Sequence, residues 1–468
     1  MRQTKIVATI GPASETKAVL PKLLKAGVDV VRLNFSHGSY EEWRQVIRDV
    51  RAFSKATGRH VGIMQDLQGP KVRVGIMSDD TVLRAGSIVT FTTKPVIGDA
   101  TNVPLQYKKL PRDVRKGDTL LLNDGLLEVR VLSTAKQSIK TKVIHGGVLS
   151  SHKGINVPTA TLSIPALTAK DKRDLVFGLE QDVDFVALSF VKSAKDVQGL
   201  RRMLMRAGSK AQIIAKIEKH EAVKNIGSII DAADAVMVAR GDLGVELLPE
   251  DVPLIQKRII HLANRSLKPV ITATQMLESM ITQPRATRAE VSDVANAILD
   301  GTDAVMLSAE TATGAYPVEA VQTLVHTASK VEQFFTNRPM RGQDISTVNL
   351  RTEALSVAAC ELAHDVGARL LVVPTNSGFT ARAVARHRIR KPVVALTDDK
   401  QVARQLTLVW GVRPVVINRY RTLDDMIRRA TATLVENRLA KRGEKIILTA
   451  GWPLHQTGAT RMVQIHTL

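Results

Sequence analysis

Acidic and basic side chains follow short apolar runs in this sequence, at spacings that could build a metal and phosphate site. Lys216 and Glu218 lie two residues apart in "IIAKIE", so a strand would place both on one face. Asp242 follows directly after the apolar run "AVMVARG". Glu218 and Asp242 would offer hard oxygen ligands to Mg²⁺ or Mn²⁺. Lys216 and Arg32 would stabilise negative charge on a transferring phosphoryl group or an enolate.

Further polar residues end neighbouring apolar runs. They are Arg32, Asn34 and Ser36 in "VVRLNFSHG", Thr274 in "ITATQM" and Ser308 in "MLSAET". Backbone N–H groups near Gly241 and Asp242, if they open a helix, would hold a substrate carboxylate.

Each of these residues also has a purely structural alternative. Lys216 and Glu218 could form only an ion pair, and Asp242 could cap the helix that follows it. Thr274 and Ser308 could be satisfied core hydroxyls, and Arg32 could only brace the end of the fold where the strands finish. Their joint position at the ends of five strands favours a single pocket, because structural residues have no reason to gather at one end.

The elements that must position these residues are short apolar runs separated by helix-like segments. The eight runs cover residues 5–11, 28–35, 60–67, 184–190, 212–218, 235–241, 269–275 and 304–310. Runs rich in Val and Ile that alternate with amphipathic helices are typical of a parallel sheet covered by helices. Eight of them predict a closed (β/α)8 TIM barrel with its site where the strands end.

Two further domains are predicted around this barrel. Short alternating strands with turn residues interrupt the pattern, so a small β domain is expected at 71–153, placed as a lid between barrel segments 1–70 and 154–340. After a polar link near 337–346, four more apolar runs predict a C-terminal α/β domain at 347–468 with an open, mostly parallel sheet. These runs are 368–375, 391–397, 412–418 and 444–451.

Composition narrows the class of protein. The chain has 468 residues, a net charge of +21 and 3% aromatic residues. Because the charge is scattered outside the last quarter and aromatics are few, small anionic ligands are favoured over nucleic acid as partners. The single Cys360 favours a reducing compartment, the cytoplasm. Without a signal-like start or about 18 consecutive apolar residues, neither export nor a membrane span is expected.

Seven motifs, in this order, resemble the pyruvate kinase family. They are "TKIVATIGPAS", "VVRLNFSHG", "DLQGPKVR", "IIAKIEKHEAV", "VMVARGDLGVE", "ITATQMLESMI" and "TRAEVSDVANAILDGTDAVMLSAETATGAYPVEAV". The resemblance covers nearly the whole chain and is to bacterial members without an extra C-terminal phosphohistidine-like domain. It implies phosphoryl transfer from phosphoenolpyruvate (PEP) to ADP in glycolysis, a cytoplasmic homotetramer and an α/β regulatory domain.

The family's site roles carry over to matching residues. The resemblance implies that PEP binds with its carboxylate at Gly241 and Asp242 and its phosphoryl group near Arg32 and Lys216. Mg²⁺ would be held by Glu218 and Asp242. Thr274 would help to place the proton donor that converts enolpyruvate to pyruvate. Ser308 is a further candidate for substrate binding, from its place at a strand end.

Nucleotide and monovalent-ion positions are implied in the same way. ADP or ATP would contact Asn34, Phe35, Ser36, His37, Arg73 and Lys153. In pyruvate kinases that need K⁺, the ion is bound by residues matching Asn34, Ser36, Asp66 and the carbonyl of Leu67. A glutamate stands in those enzymes where this chain has Lys71. The ammonium of Lys71 is therefore expected to replace the ion, so that K⁺ is not required. The alternative is that Lys71 points to solvent and the change is neutral.

The C-terminal domain carries a candidate phosphate site for an effector. In "VVPTNSGFTARAVARHRIRKP" a strand leads through a Ser-Gly turn into a basic helix, which favours a phosphate. The candidates are Thr375, Asn376, Ser377 and Thr380, with the loop 451–460 closing over a sugar phosphate or nucleoside monophosphate. Phe379 stands where the family has a small residue, and an ordinary helix cap with a solvated basic face remains the alternative.

Two other functions remain open from the residues. A Mg²⁺-dependent lyase of the pyruvate-enolate type would use the same barrel, acidic ligands and arginine, but it would not depend on ADP. A non-catalytic sensor or RNA-binding protein could keep the fold, yet its expected loss of Lys216, Glu218, Asp242 or Thr274 is not seen.

Overall fold

The N-terminal part of the chain forms the first three strands of a barrel. The computed structural model describes residues 2–79, 81–335, 350–451 and 460–468. The first elements are β1 (Lys5–Ile10), α1 (Leu20–Ala26), β2 (Val30–Asn34), α2 (Tyr40–Thr57) and β3 (Gly62–Asp66). A capping box at Ser39 starts α2: its side chain accepts the Glu42 N–H, and the Glu42 carboxylate accepts the Ser39 N–H.

A mostly antiparallel β domain follows β3, where the sequence predicts the lid. Its elements are β4 (Val82–Leu83), β5 (Ile88–Thr92), β6 (Asn102–Pro104), α3 (Leu110–Asp113), β7 (Thr119–Leu122), β8 (Leu127–Ala135), β9 (Ser138–His145), β10 (Gly147–Val148) and β11 (Ile155–Asn156). Six strands form one sheet in the order β11-β7-β8-β9-β5-β6, and β10 pairs with β4. The pairing of β11 with β7 ties the chain just beyond residue 153 to the lid sheet.

The chain then completes the barrel with alternating helices and strands. The elements are α4 (Ala169–Glu180), β12 (Phe185–Leu188), α5 (Ala194–Arg206), β13 (Gln212–Ile217), α6 (His220–Lys224), α7 (Ile226–Ala232), β14 (Ala235–Ala239), α8 (Arg240–Glu246), α9 (Val252–Arg265), β15 (Val270–Ala273), α10 (Arg288–Leu299), β16 (Ala304–Leu307), α11 (Ala309–Ala312) and α12 (Pro317–Val331). The eight parallel strands close in the order β1-β16-β15-β14-β13-β12-β3-β2. Each predicted apolar run contains one of them, so the (β/α)8 barrel is confirmed.

The C-terminal domain is an α/β unit around a five-stranded sheet. Its elements are α13 (Leu350–Asp365), β17 (Leu371–Pro374), α14 (Phe379–Ala385), β18 (Val393–Thr397), α15 (Lys400–Gln405), β19 (Val412–Val416), α16 (Leu423–Glu436), β20 (Lys445–Gly451) and β21 (Thr460–Thr467). The sheet order is β19-β18-β17-β20-β21, with parallel pairs except for antiparallel β20 and β21. The predicted open sheet is confirmed, and the edge strand β21 is an addition to the prediction.

The C-terminal domain packs against the end of the barrel where the strands begin. Leu408, in a short 3-10 helix after α15, is fully buried among barrel-interior side chains such as Val7, Met64 and Phe185. The Lys5 ammonium in β1 donates a hydrogen bond to the Val412 carbonyl, 2.7 Å away. The opposite end of the barrel therefore remains open toward the lid. Among the described residues, none of the helices combines the length and apolarity that a membrane crossing needs.

Candidate functional site

Lys216 occupies the centre of a charged cluster at the C-terminal end of β13. Its ammonium lies 2.9 Å from Glu218 Oε1 and 3.3 Å from Asp66 Oδ1, and it donates a hydrogen bond of 2.7 Å to Ser189 Oγ. Burial lowers the pKa of Lys216, but the carboxylates of Asp66 and Glu218 outweigh it and the net pKa is raised. Lys216 is therefore a fixed cation at neutral pH.

Asp66, the last residue of β3, joins this cluster to Arg32 in β2. The Arg32 Nε donates to Asp66 Oδ2 at 2.6 Å, and its Nη1 donates to Thr9 Oγ1 at 2.8 Å. Burial raises the pKa of Asp66, but Lys216 and Arg32 together lower it below its usual value. One buried carboxylate thus holds two cations in place at the barrel mouth.

Glu218 and Asp242 form an acidic pair beside Lys216. Asp242 lies in the first turn of α8, and burial together with the neighbouring Glu218 carboxylate raises its pKa to about 6. Glu218 Oε2 accepts a hydrogen bond of 2.7 Å from the Phe190 N–H. The buried Glu218 carboxylate and the half-buried Asp242 carboxylate repel each other, and a divalent cation would relieve this repulsion. Both carboxylates offer the hard oxygen atoms that Mg²⁺ prefers. The donor set fits such an ion.

A second group of possible metal ligands forms ion pairs and hydrogen bonds within the protein. His220, Glu221 and Glu246 bring three ligand atoms within 4.8 Å of one another. Glu246 Oε1, however, accepts hydrogen bonds from Lys219 Nζ and from Asn156 Nδ2 in the lid strand β11. These contacts connect α8 with the lid hinge, so the group is an ion-pair network.

Thr274 lies next to the start of α8, where the sequence predicts the substrate carboxylate. The Gly241 N–H donates a hydrogen bond of 2.7 Å to Thr274 Oγ1, and this hydroxyl is 2.5 Å from the Ala273 carbonyl oxygen. Ser308 follows β16 and is half-buried, and its N–H donates to Glu310 Oε2 at 2.7 Å. Glu310 also accepts the Leu277 N–H, so its carboxylate organises neighbouring loops.

A cavity of about 280 Å³ lies between the barrel mouth and the lid. Its lining includes Lys71, Arg73, Lys153 and Asp242, so it brings together residues predicted for the nucleotide, the metal and the ion substitute. The Arg73 Nη1 donates to the His152 carbonyl, which ties the two hinge segments together.

The remaining residues predicted for the nucleotide lie around the end of β2. Asn34 Oδ1 accepts the Ser36 N–H at 3.2 Å, and His37 is exposed. The Phe35 ring is different, because it is buried in the core against Trp43.

Other predicted groups have hydrogen-bond partners within the protein. The Leu67 carbonyl accepts a hydrogen bond of 2.7 Å from Ser189 Oγ, and Lys71 is exposed where it borders the cavity.

In the C-terminal domain, Thr375 Oγ1 accepts a hydrogen bond from the Gly378 N–H. Asn376 and Ser377 line an interdomain cavity of about 490 Å³. Within the loop 451–460, positions 452–459 lie outside the described residues.

The site is also contacted by residues that the sequence analysis did not single out. The Ser189 hydroxyl bridges Lys216 and the Leu67 carbonyl, and Thr9 Oγ1 accepts a hydrogen bond from Arg32. Arg240 donates a hydrogen bond to the Thr274 carbonyl. Ser189 and Thr9 are polar residues inside apolar runs already assigned to strands, so the strand-end rule could have found them. Nothing local distinguishes Arg240 from a solvated helical arginine.

Comparison with known proteins gives concordant matches. The family model described as pyruvate kinase, barrel domain, matches residues 1–321, and the model for the pyruvate kinase alpha/beta domain matches residues 353–466. The chain is 45% identical to "Pyruvate kinase 2" of Synechocystis sp., covering all of this chain and 79% of that protein. It is also 45% identical to a Geobacillus stearothermophilus pyruvate kinase, of which it covers 80%. A crystal structure of a pyruvate kinase from Cryptosporidium parvum superposes with a TM-score of 0.91 at 36% identity, covering 100% of this chain and 96% of that one.

Proposed function

Because the chain belongs to the pyruvate kinase family of phosphotransferases, we propose that it transfers the phosphoryl group of PEP to ADP, giving pyruvate and ATP. The observation that carries this proposal is that Asp66 forms ion pairs with both Lys216 and Arg32. These cations lie beside the Glu218 and Asp242 carboxylates. Fixed cations and a divalent-cation site at one barrel mouth suit the charge that a phosphoryl transfer must stabilise.

In the first step, an oxygen of the ADP β-phosphate bonds to phosphorus as the bond between phosphorus and the C2 oxygen of PEP breaks. The bonding electrons stay on that oxygen, which becomes the enolate oxygen. Lys216 and Arg32 neutralise the equatorial phosphoryl oxygens, and Lys216 is suited to this because its neighbours keep it protonated. Glu218 and Asp242 would hold Mg²⁺ or Mn²⁺, which supplies further positive charge at the transferring group.

In the second step, the enolate of pyruvate gains a proton at C3 and becomes pyruvate. We assign Thr274 to placing the proton donor. A substrate carboxylate bound by the Gly241 and Asp242 N–H groups would replace Thr274 Oγ1 as the partner of the Gly241 N–H. The hydroxyl would then be free to orient a water toward C3. Ser308 would border the same substrate, and Asn34, Phe35 through its backbone, Ser36, His37, Arg73 and Lys153 would contact the nucleotide.

A coupled assay tests this function directly. The purified protein with Mg²⁺, PEP and ADP should form ATP and pyruvate in equal amounts, with no pyruvate when ADP is omitted. Pyruvate formed without ADP would instead support the Mg²⁺-dependent lyase. A protein that forms neither product would contradict the proposal.

We also propose that activity does not depend on K⁺, because Lys71 supplies the positive charge that the ion provides in other family members. Its support is that Lys71 borders the active-site cavity and lowers the pKa of Asp242, although burial and Glu218 raise it more. A flexible ammonium there would offset phosphate repulsion and orient Arg73 at the hinge. The position that K⁺ occupies in other family members would then be surrounded by Asn34, Ser36, Asp66 and the Leu67 carbonyl, without a bound ion.

Kinetics in K⁺-free buffer with a tetramethylammonium counter-ion test the role of Lys71. Wild-type activity should rise by less than about tenfold on adding KCl, a factor that corresponds to roughly 1.4 kcal/mol. Lys71→Glu should convert the protein to one whose activity depends on added K⁺. Lys116→Glu, at an exposed lid position away from the cavity, is the matched charge reversal and should respond as wild type does. Strong K⁺ stimulation of the wild type would overturn the proposal.

The remaining proposals concern assembly and context. We infer a glycolytic enzyme of the cytoplasm, with small phosphorylated partners and no nucleic acid, supported by the buried free thiol of Cys360 and the low aromatic content. The homotetramer and an effector phosphate at Thr375, Asn376, Ser377 and Thr380 rest on family resemblance. We also propose three domains: a barrel at 1–70 and 154–340, a lid at 71–153 and a C-terminal domain at 347–468. Positions 340 and 347 lie outside the described residues.

A further inference from the structure

The backbone is strained at the residue assigned to proton placement. Thr274 and the following Gln275 have φ values of +67° and +52°, in the left-handed region. A β-branched residue such as threonine rarely adopts this conformation, because its side chain crowds the backbone there. Such strain persists only where surrounding contacts hold the segment. The loop after β15 must therefore have a specific restraint.

That restraint is the guanidinium of Arg240, the first residue of α8. Its Nη2 donates to the Thr274 carbonyl at 2.7 Å and to the Gln275 carbonyl at 3.2 Å, and its Nε lies 3.3 Å from the Ala273 carbonyl oxygen. One side chain thus bonds three consecutive carbonyl groups of the strained turn.

Arg240 is itself fixed from the opposite side. Its Nη1 donates to both carboxylate oxygens of Asp293 in α10, at 2.9 and 2.7 Å, and only 10% of the Arg240 side chain is exposed. A planar guanidinium can make these bonds simultaneously in fixed directions, whereas a lysine ammonium cannot reproduce the fork. The orientation of the turn is therefore coupled to a rigid barrel helix.

We propose that Arg240 is a positioning residue for the protonation step, acting through Thr274. This inference rests on the proposed function. Arg240 directly precedes Gly241 and Asp242, the predicted carboxylate-binding residues, so one residue joins the start of α8 to the threonine loop. It fixes the distance between the substrate carboxylate and the group that places the proton donor. Loss of this restraint lets Thr274 relax to an ordinary conformation and turns its hydroxyl away from C3.

The test separates this role from a general contribution to stability. The readout is deuterium exchange at the pyruvate methyl group, followed by NMR in D₂O with Mg²⁺ and inorganic phosphate, which reports proton transfer without phosphoryl transfer. Arg240→Lys should lower the exchange rate by about 100-fold, the usual contribution of a positioned acid or base. The conservative variant retains a charge for Asp293, so it should stay folded in thermal denaturation.

A double variant shows whether Arg240 acts through Thr274. If it does, Arg240→Lys with Thr274→Ala should exchange protons at a rate within about twofold of Thr274→Ala alone. The control is Arg201→Lys, which alters a similar helical arginine that pairs with Asp234 at 2.6 Å and bonds the Ala232 carbonyl. It should leave exchange at the wild-type rate.

The outcomes distinguish failure of this inference from failure of the proposed function. If the wild type forms ATP from PEP and ADP but Arg240→Lys exchanges protons at the wild-type rate, only the positioning role is overturned. Independent, multiplicative losses in the double variant overturn the action through Thr274. A wild-type protein that forms no ATP overturns both the function and the inference that rests on it.

Discussion

At the scale of single residues, the charge of Lys216 depends on its neighbours more than on its own chemistry. Burial favours the neutral amine, yet Asp66 and Glu218 lie close enough to reverse that preference. The same Asp66 carboxylate holds Arg32, so both cations are fixed before any substrate binds. Such preorganised charge stabilises a transition state without the cost of reorienting dipoles during the reaction.

Removing this charge should slow catalysis far more than it weakens substrate binding. We expect Lys216→Met to lower kcat by about 1000-fold or more, because several kcal/mol of transition-state stabilisation are lost. PEP should still bind, as measured by fluorescence or calorimetry. Exchange of the pyruvate methyl protons should be spared, because Thr274 serves a separate step.

The matched control is Lys268→Met, which removes a partly buried lysine that donates to the Ala233 carbonyl away from the predicted site residues. Its kcat should be that of the wild type. A Lys216→Met protein within tenfold of wild-type kcat would contradict the catalytic assignment.

At the scale of elements, the barrel strands deliver the site residues and short helical turns orient them. In the C-terminal domain, the segment after β17 likewise passes through a short turn into a helix. Gly378 has a φ of +78°, which allows the turn into α14, and its N–H donates to Thr375 Oγ1. Ser377 is exposed beside the interdomain cavity.

Negative charge at this turn should oppose binding of a phosphate. If a sugar phosphate or nucleoside monophosphate lowers the PEP concentration needed for half-maximal rate, Ser377→Asp should abolish that effect by like-charge repulsion. The measurement is a PEP saturation curve with and without each metabolite. Ser228→Asp adds the same charge at an exposed position of α7 and should leave the response intact. If no phosphorylated metabolite shifts the wild-type curve, the turn is not an effector site.

At the scale of the whole molecule, the C-terminal domain closes the barrel end opposite the predicted active site. Leu408 inserts into the barrel interior, and the backbone N–H of Trp410 donates a hydrogen bond of 3.0 Å to Asp303 Oδ1. Arg404 pairs with the buried Asp184 at 2.5 Å. The two domains therefore share part of one core, so they should unfold together.

Truncation of Leu408 should weaken both domains at once. We expect Leu408→Ala to cost about 2–5 kcal/mol in the free energy of unfolding, the usual range for emptying a fully buried leucine site. Urea denaturation followed by tryptophan fluorescence measures this value. Met205→Ala, at an exposed position of α5, is the control and should cost little. A loss below about 1 kcal/mol would show that the insertion contributes little to stability.

Lys5 should make the stability of this domain contact depend on pH. Burial lowers its pKa to about 8 although Asp29 opposes the shift, whereas a lysine in the unfolded chain has its ordinary pKa of 10.5. Between these values the unfolded chain holds a proton that the folded protein has released, so the free energy of unfolding rises with pH. The rise is about 3 kcal/mol over the whole interval.

The measurement is the difference in free energy of unfolding between wild type and Lys5→Met. This difference should shift in favour of the wild type from pH 7.5 to 9.5, because neutral Lys5 no longer carries a buried charge and still donates to the Val412 carbonyl. A pH-independent difference would contradict the lowered pKa.

The sequence by itself determined the barrel, the C-terminal sheet and the positions of the predicted site residues along the strands. Apolar runs set the strands, and two-residue spacing placed Lys216 and Glu218 on one face, because these are local periodicities. The motifs also carried the assignment to pyruvate kinases, which the family matches confirm. They further identified the chain as a phosphotransferase.

Only the tertiary structure decided how those residues are held. Ser189 contacts Lys216, and Arg240 bonds the Thr274 carbonyl 34 residues along the chain. Leu408 fills the barrel from another domain, and β21 adds an antiparallel edge to β20. These contacts depend on the closure and packing of distant segments. A local pattern records which face a side chain occupies, but it does not record which distant atom that side chain meets.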